Sequence, residues 1–179
     1  IIIGSTCEAG ELMQSIVRGA TKEELLEVAS FYDYLEVQPH TNNMFLVRKG
    51  LMPDEQALID MNKTVIELGE ALNKPVCATC DVHYLTPEEK IYREIMLTAC
   101  GYPDADEQPD LHLRTTDEML ASFPYLSEEK AYEIVVTNTR AINDSIEDIK
   151  PVPDGTYSPK IEGADEAFTE MCYRNAKAI

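Results

Sequence analysis

With 179 residues, 33 of them acidic and only 15 basic, the chain carries a formal charge of −18 and can bury one core, or one core and a small appendage. That balance opposes a surface built to hold a phosphate backbone, which needs clustered Lys and Arg. No apolar run approaches the length that crosses a bilayer, so no membrane partner is expected. The five scattered cysteines, Cys7, Cys77, Cys80, Cys100 and Cys172, are odd in number and suit reduced thiols in a cytoplasmic protein. Cys77 and Cys80 form a Cys-x-x-Cys without a second pair, and read as one core and one turn cysteine.

Ile1-Ile2-Ile3 opens the chain as a strand-like run, without a signal peptide, as a cut through a domain would leave it. Gly4–Gly10 reads as a loop and Glu11–Val17 as a short helix. Thr21 with Glu24 forms a capping box before a helix carrying Leu25, Val28 and Ala29. Tyr34-Leu35-Glu36-Val37 looks like a strand, ended by Pro39. From Asp54 to Leu72 the residues Leu58, Met61, Val65, Leu68 and Leu72 recur at three- and four-residue steps, which predicts a long helix with one apolar face. Pro75–Thr79 is the next strand. Thr86-Pro87-Glu88-Glu89 is a second capping box, and its helix should run to about Ala99.

Strands alternating with helices imply an α/β fold with parallel pairing. Beyond Gly101 the alternation stops. Asp104–Asp110 is an acidic, proline-flanked loop with no basic partner in sight. Thr115 with Glu118 starts a short helix, and Ser127 a longer one carrying Ala131, Ile134, Val135, Thr139 and Ile142. Lys150–Glu162, with three prolines and Gly155, is a linker. Asp165–Ile179 is a terminal helix with Phe168, Met171, Cys172, Ala176 and Ile179 on one face.

Asp81-Val82-His83 directly follows the second strand. Loops at the carboxyl ends of parallel strands are where α/β active sites gather. A carboxylate and an imidazole at i and i+2 can hold one divalent ion. A helix-capping Asp beside a hydrogen-bonded His would give the same pattern, and no third or fourth ligand lies nearby in sequence. Cys7, taken alone, reads as a small buried residue.

The segment Lys74-Pro75-Val76-Cys77-Ala78-Thr79-Cys80-Asp81-Val82-His83-Tyr84-Leu85 resembles the last metal motif of the polymerase and histidinol phosphatase (PHP) domain. Lys90–Ile95, Leu113–Leu120, Tyr157–Glu166 and Gly4-Ser5-Thr6-Cys7-Glu8-Ala9-Gly10-Glu11 narrow the likeness. Together, in order and over nearly the whole chain, they resemble the PolC-type alpha subunit of bacterial DNA polymerase III. The resemblance implies that 1–100 is the closing portion of an irregular, partial β/α barrel of PHP type. It makes 101–149 a helical appendage, and 150–179 a linker and helix leading toward the polymerase palm. It implies Cys7, Asp81 and His83 as metal ligands, zinc or manganese as the ion of the intact domain, and magnesium for the parent polymerase.

The parent would be a DNA-directed DNA polymerase, partnered by the rest of its own chain and, through other parts, by DNA and replisome subunits. PHP domains also carry an early His-x-His, which this chain does not contain, so most of the cluster would lie upstream. The piece alone is then expected to hold metal weakly, to be inactive, and to self-associate through an unpaired sheet edge. A stand-alone PHP-type phosphoesterase and a non-catalytic scaffold are the competing readings. Glu8 and Glu11 suit the charge and cap of the short helix. Arg93 suits an ion pair, His40 stays outside the ligand set, and His112 reads as structural or exposed.

Overall fold

Two three-residue strands, β1 (Leu35–Val37) and β2 (Val76–Ala78), form the centre of the fold and pair in parallel, Leu35 opposite Val76 and Val37 opposite Ala78. The computed structural model describes residues 1–152, 154–157 and 159–177. Parallel strands need a long crossover, and α4 (Glu55–Leu72) supplies it. Asp54 caps its start by accepting from the Ala57 amide at 2.9 Å, and Asn73 ends it in the left-handed conformation at φ 52°. Its buried face is Leu58, Met61, Val65, Ile66 and Leu68, the predicted stripe with Ile66 added and Leu72 only partly buried. Asn62 lies fully buried within that face. Its amide donates to the Gln38 carbonyl and to the Tyr125 hydroxyl, each at 2.8 Å.

Helices α1 (Glu11–Val17) and α2 (Lys22–Ser30) precede β1, and the Thr21–Glu24 capping box forms as read. Lys74 closes the other end of α2, donating to the carbonyls of Ala29, Ser30 and Tyr32, a cation where the helix dipole favours one. Between β1 and α4 the chain makes a 3₁₀ turn (His40–Asn43) and a short α3 (Met44–Arg48). Neither has a capping side chain, and neither was expected from the pattern.

The expected first strand is reduced to one parallel bridge, Gly4 to Tyr34. Gly4 lies so close to the Tyr34 ring that a Cβ would meet it at 2.3 Å, while Ile1, Ile2 and Ile3 project outward and stay exposed. The described residues therefore form a mostly helical α/β unit with two parallel strands, and no barrel closes among them.

After β2, Glu89 accepts from the amides of Leu85 and Thr86 at 2.8 and 3.2 Å and opens α5 (Lys90–Ala99). Then come α6 (Thr116–Ala121), α7 (Glu128–Tyr132) and α8 (Asn138–Ser145). The single long helix expected from Ser127 is interrupted by a π-helical turn at Glu133–Thr137. That turn buries Ile134 and Val136 and brings the Asn138 amide onto the Val76 carbonyl at 2.9 Å. Met119, Phe123 and Ile134 share one cluster with Leu35, Val37 and Leu58. Residues after Gly101 thus complete the core of one unit, Ile1–Ile146. A second unit, Glu147–Ile179, contains α9 (Ala164–Ala176), whose Phe168 and Met171 are exposed. Pro153, Ser158 and Ile179 lie outside the described residues.

The acidic loop has basic partners after all. Arg48 Nε meets Glu107 at 2.9 Å, Lys49 meets Asp104 at 3.6 Å, and Lys90 meets Asp110 at 3.0 Å. These pairs span up to 59 residues of sequence, which is why no local pattern shows them. No helix among the described residues is long and apolar enough to cross a membrane.

Three outcomes follow from the packing and from the apolar surface left exposed. Phe123, 1% exposed, should cost about 3–5 kcal/mol when cut to Ala. Urea unfolding should stay a single transition if the segment after Gly101 belongs to the main core; two separate transitions would contradict that. Ile91, Tyr92, Ile95 and Met96 on α5, each at least 50% exposed, add to Ile1–Ile3 as apolar surface. Light scattering at modest salt should therefore find dimers or larger species, and a clean monomer would count against it.

Candidate functional site

Where β2 ends, the Thr79 amide still bonds the Val37 carbonyl at 2.9 Å, and its hydroxyl donates to the Glu36 carboxylate at 2.8 Å. Asp81 then adopts φ 56°, a left-handed conformation that Asp tolerates better than most residues. The turn brings His83 Nδ1 within 2.9 Å of the Asp81 carbonyl and 3.6 Å of its carboxylate. A carbonyl can only accept, so Nδ1 is the donor in this contact, and in the neutral ring the lone pair is on Nε2. That is how a metal-binding imidazole is ordinarily oriented, with its second nitrogen donating to an oxygen. The backbone of the turn is fixed from outside, by His83 N–H to Leu111 O at 2.8 Å and by the Tyr84–His112 bridge.

Asp81 and His83 line a cleft of about 220 Å³ together with Glu8, Asn42, Asn43, Arg48, Lys49 and Arg93. Asn42 and Asn43 are 4% and 1% exposed, and the side-chain oxygen of each has no partner. Sequence reasoning passed over them; the only signal was the Asn-Asn pair after a strand-ending proline. Two buried acceptor oxygens beside a carboxylate and an imidazole suit a bound cation or its water.

Cys7 stands in the tight turn after the Gly4 bridge. The Gly10 amide bonds its carbonyl at 2.9 Å, and its thiol accepts from Thr6 at 3.8 Å. Gly10 has no room for a side chain, since a Cβ would meet the Ser5 carbonyl at 2.3 Å. Ser5 in turn accepts from the Glu36 amide at 2.9 Å, so the turn sits at the same carboxyl edge as Asp81. The structure brings Asp81 and His83 together and sets Glu8 in their cleft. Among the described residues there is no group of three or more His, Cys, Asp or Glu that could hold a metal. The donors present make half of a tetrahedral zinc shell, which takes four.

Of the other titratable groups, His40 is buried and bonded to Glu55 at 2.9 Å, its ring edge-on to Tyr125. It braces the start of α4. His112 is partly buried, with Nε2 3.9 Å from Glu118. Arg93 donates to the Gln108 side chain at 3.4 Å. Glu11 lies in the first turn of α1, as its charge suggests.

Glu36 is half-buried, and that burial, with the Asp81 charge added, raises its pKa although the Thr79 hydroxyl pulls the other way. A carboxyl raised on folding favours the native state most below its unfolded value and loses that contribution as pH climbs through the folded one. Glu36→Gln, which keeps an acceptor for Thr79, should therefore raise the urea midpoint at about pH 7 and change it little at about pH 4. An equal gain at both would show that ionisation is not the cause.

No protein-family model matches the chain. It is 49% identical over 179 residues to "DNA polymerase III PolC-type" of Clostridium perfringens, 48% over 182 residues to that of Bacillus subtilis, and 45% over 179 residues to that of Caldanaerobacter subterraneus. Each alignment covers 100% of this chain but only 12 or 13% of the relative. The chain is therefore homologous to one segment of PolC-type DNA polymerase III.

Proposed function

We propose that this segment is the closing portion of the PHP domain of a PolC-type polymerase, followed by the bridge toward the palm, and that Asp81 and His83 are two ligands of its divalent cation. The orientation of His83, with Nδ1 held by the Asp81 carbonyl and Nε2 free, carries this reading. Asp81 offers a carboxylate on the same turn, and the orphaned oxygens of Asn42 and Asn43 border the cleft. Cys7 is proposed as a further ligand, from the matching edge of the neighbouring segment, and the remaining ligands as donors from the rest of the parent chain. Zinc suits a thiolate and imidazole set, and manganese suits one richer in carboxylate. A cation so held would polarise a phosphoryl oxygen or activate water.

The parent is proposed as a DNA-directed DNA polymerase using magnesium, whose other parts meet DNA and the replisome. The charge of −18 supports assigning DNA contact to those other parts. In this chain the residues of the site orient and hold; His83 keeps a proton on Nδ1 and presents Nε2.

Zinc titration of the 179-residue chain should perturb the Nε2 nitrogen resonance of His83 and leave Nδ1 protonated. Binding should be weak, and His83→Ala or Asp81→Asn should weaken it by about tenfold or more. The chain alone should neither hydrolyse phosphate esters nor extend a primer, since most of a catalytic metal shell is lacking. Zinc affinity unchanged by both substitutions would refute the ligand assignment, and metal-dependent hydrolysis by the pure chain would favour a stand-alone phosphoesterase.

A further inference from the structure

Asp81 carries a side chain and yet sits in the left-handed region, at φ 56°. A residue stays there only when its surroundings leave it no other choice. One pin precedes it: the Asn42 side-chain amide donates to the Cys80 carbonyl at 3.1 Å. The other follows it. The His83 amide donates to the Leu111 carbonyl at 2.8 Å, and the Tyr84 amide approaches the same oxygen at 3.4 Å. This second pin is only as firm as Leu111, which lies outside any helix or strand.

What fixes Leu111 is the Tyr84 side chain. Its hydroxyl accepts from the Leu111 amide at 2.7 Å and donates to the Pro109 carbonyl at 3.1 Å, so one oxygen grips the chain on both sides of Asp110. Leu111 is buried, and a buried amide deprived of its acceptor costs more than the bond itself was worth. The backbone polar groups of Leu111 are thus spent on residues 83 and 84, the carbonyl on their amides and the amide on the Tyr84 hydroxyl. We infer that Tyr84 is a positioning residue for His83: its hydroxyl, acting through Leu111, holds the His83 backbone where Nδ1 donates to the Asp81 carbonyl and Nε2 is left for a cation. This role rests on the cation assignment of Asp81 and His83 proposed above, while the orientation of the ring can be measured without metal.

Coupling of this kind is reciprocal. If the grip on 109–111 favours the metal-binding imidazole, metal at His83 must in turn tighten 109–111. The Tyr84 ring is also no plug of the core. It is only partly buried, and with His83, Tyr92 and Met96 it lines a cleft of about 380 Å³. Removing the hydroxyl while keeping the ring should therefore leave the fold intact. Tyr125 supplies a matched control. Its hydroxyl also accepts from a buried amide, that of Asn62 at 2.8 Å, but the bond joins it to α4 and not to Leu111.

The ring nitrogens of His83 are followed by nitrogen resonance in the metal-free chain at about pH 8, above the ordinary imidazole range, and zinc is then titrated in. In the unchanged chain the Nδ1–H tautomer should dominate. A ring released from the carbonyl can carry its proton on either nitrogen, so Tyr84→Phe should bring up the Nε2–H tautomer. It should also weaken zinc binding by about threefold to tenfold, the worth of one hydrogen bond. Tyr125→Phe should do neither. A tautomer balance unmoved by Tyr84→Phe, or moved equally by Tyr125→Phe, would overturn the role of Tyr84. Zinc that leaves His83 untouched in all three proteins would sink the cation assignment instead, and the tautomer balance would still decide the role of Tyr84. A second readout needs no variant. Zinc added to the unchanged chain should slow hydrogen exchange at the Leu111 amide by about threefold or more, and should not slow it at the Ala57 amide, which bonds Asp54 at 2.9 Å. Exchange at Leu111 unmoved by zinc that shifts Nε2 would equally overturn the role of Tyr84.

Discussion

A parallel pair only three residues long is not a stable object by itself, and how its edges and faces are covered constrains the rest of the fold. Parallel sheets survive where both faces are packed and the edges are satisfied. Here the crossover α4 covers one region with an apolar stripe, and its buried Asn62 ties the chain after β1 to Tyr125. On the β1 side, Ser5 takes the Glu36 amide and the Gly4 segment bridges Tyr34. On the β2 side the Asn138 side chain supplies the donor a third strand would have brought to Val76. A side-chain amide thus replaces a strand. The π turn just before it shifts the helical register there, with Ile134 in the core and Asn138 over the sheet edge.

The same small sheet delivers the site. Because β1 and β2 run parallel and in register, Gln38, the Asn42–Asn43 pair and the Thr79–His83 turn all leave from one edge. Burial of the ladder also explains the electrostatics of that edge. Glu36 is the one polar residue of β1, where burial and the nearby Asp81 raise its pKa and the Thr79 hydroxyl opposes them. Burial likewise pushes the Cys77 thiol up to about 11, with the Glu36 charge adding to it. That makes Cys77 a core residue and not half of a reactive Cys-x-x-Cys. Cys80, its would-be partner, turns away to donate to the His112 carbonyl and to receive Arg114 at 3.1 Å.

What could be read from sequence was what is encoded locally. The capping boxes at Thr21 and Thr115 form as read, since the four residues concerned decide them. The face of α4 was legible because 18 residues repeat one period. The Asp81–His83 pairing was legible because both residues belong to one turn. The α3 helix was not: it has no cap, and its five residues are too few to show a period. The first strand was over-read, because Ile1–Ile3 has strand composition but only Gly4 is shaped to approach Tyr34. The acidic loop was misread for another reason. Its partners lie on α3 and α5, and ion pairs between distant segments leave no trace in a one-dimensional pattern. Cys7 illustrates the limit from the other side: its turn reaches the proper edge, yet the cleft with Asp81 and His83 is lined by Glu8, one residue on.

The loop Asp104–Asp110 and the Asp81–His83 turn are tied together. His83 and Leu113 exchange backbone bonds with Leu111 and Tyr84, and the Tyr84 hydroxyl holds Pro109 and Leu111. Any movement that pulled 109–113 away would strip the support from the Asp81–His83 turn and with it the imidazole orientation. Residues 104–108 meet that edge differently, through Arg48, Lys49 and Arg93 and through Asp104 and Gln108, which line the cleft themselves. The division between the two halves of the loop falls at Gln108, whose side chain bridges Arg93 and the Asp104 carbonyl. One half of the loop thus orients His83, while the other pairs with Arg48 and Lys49. In a chain with so few basic residues, keeping Arg48 and Lys49 paired within the fold also keeps them from binding polyanions indiscriminately.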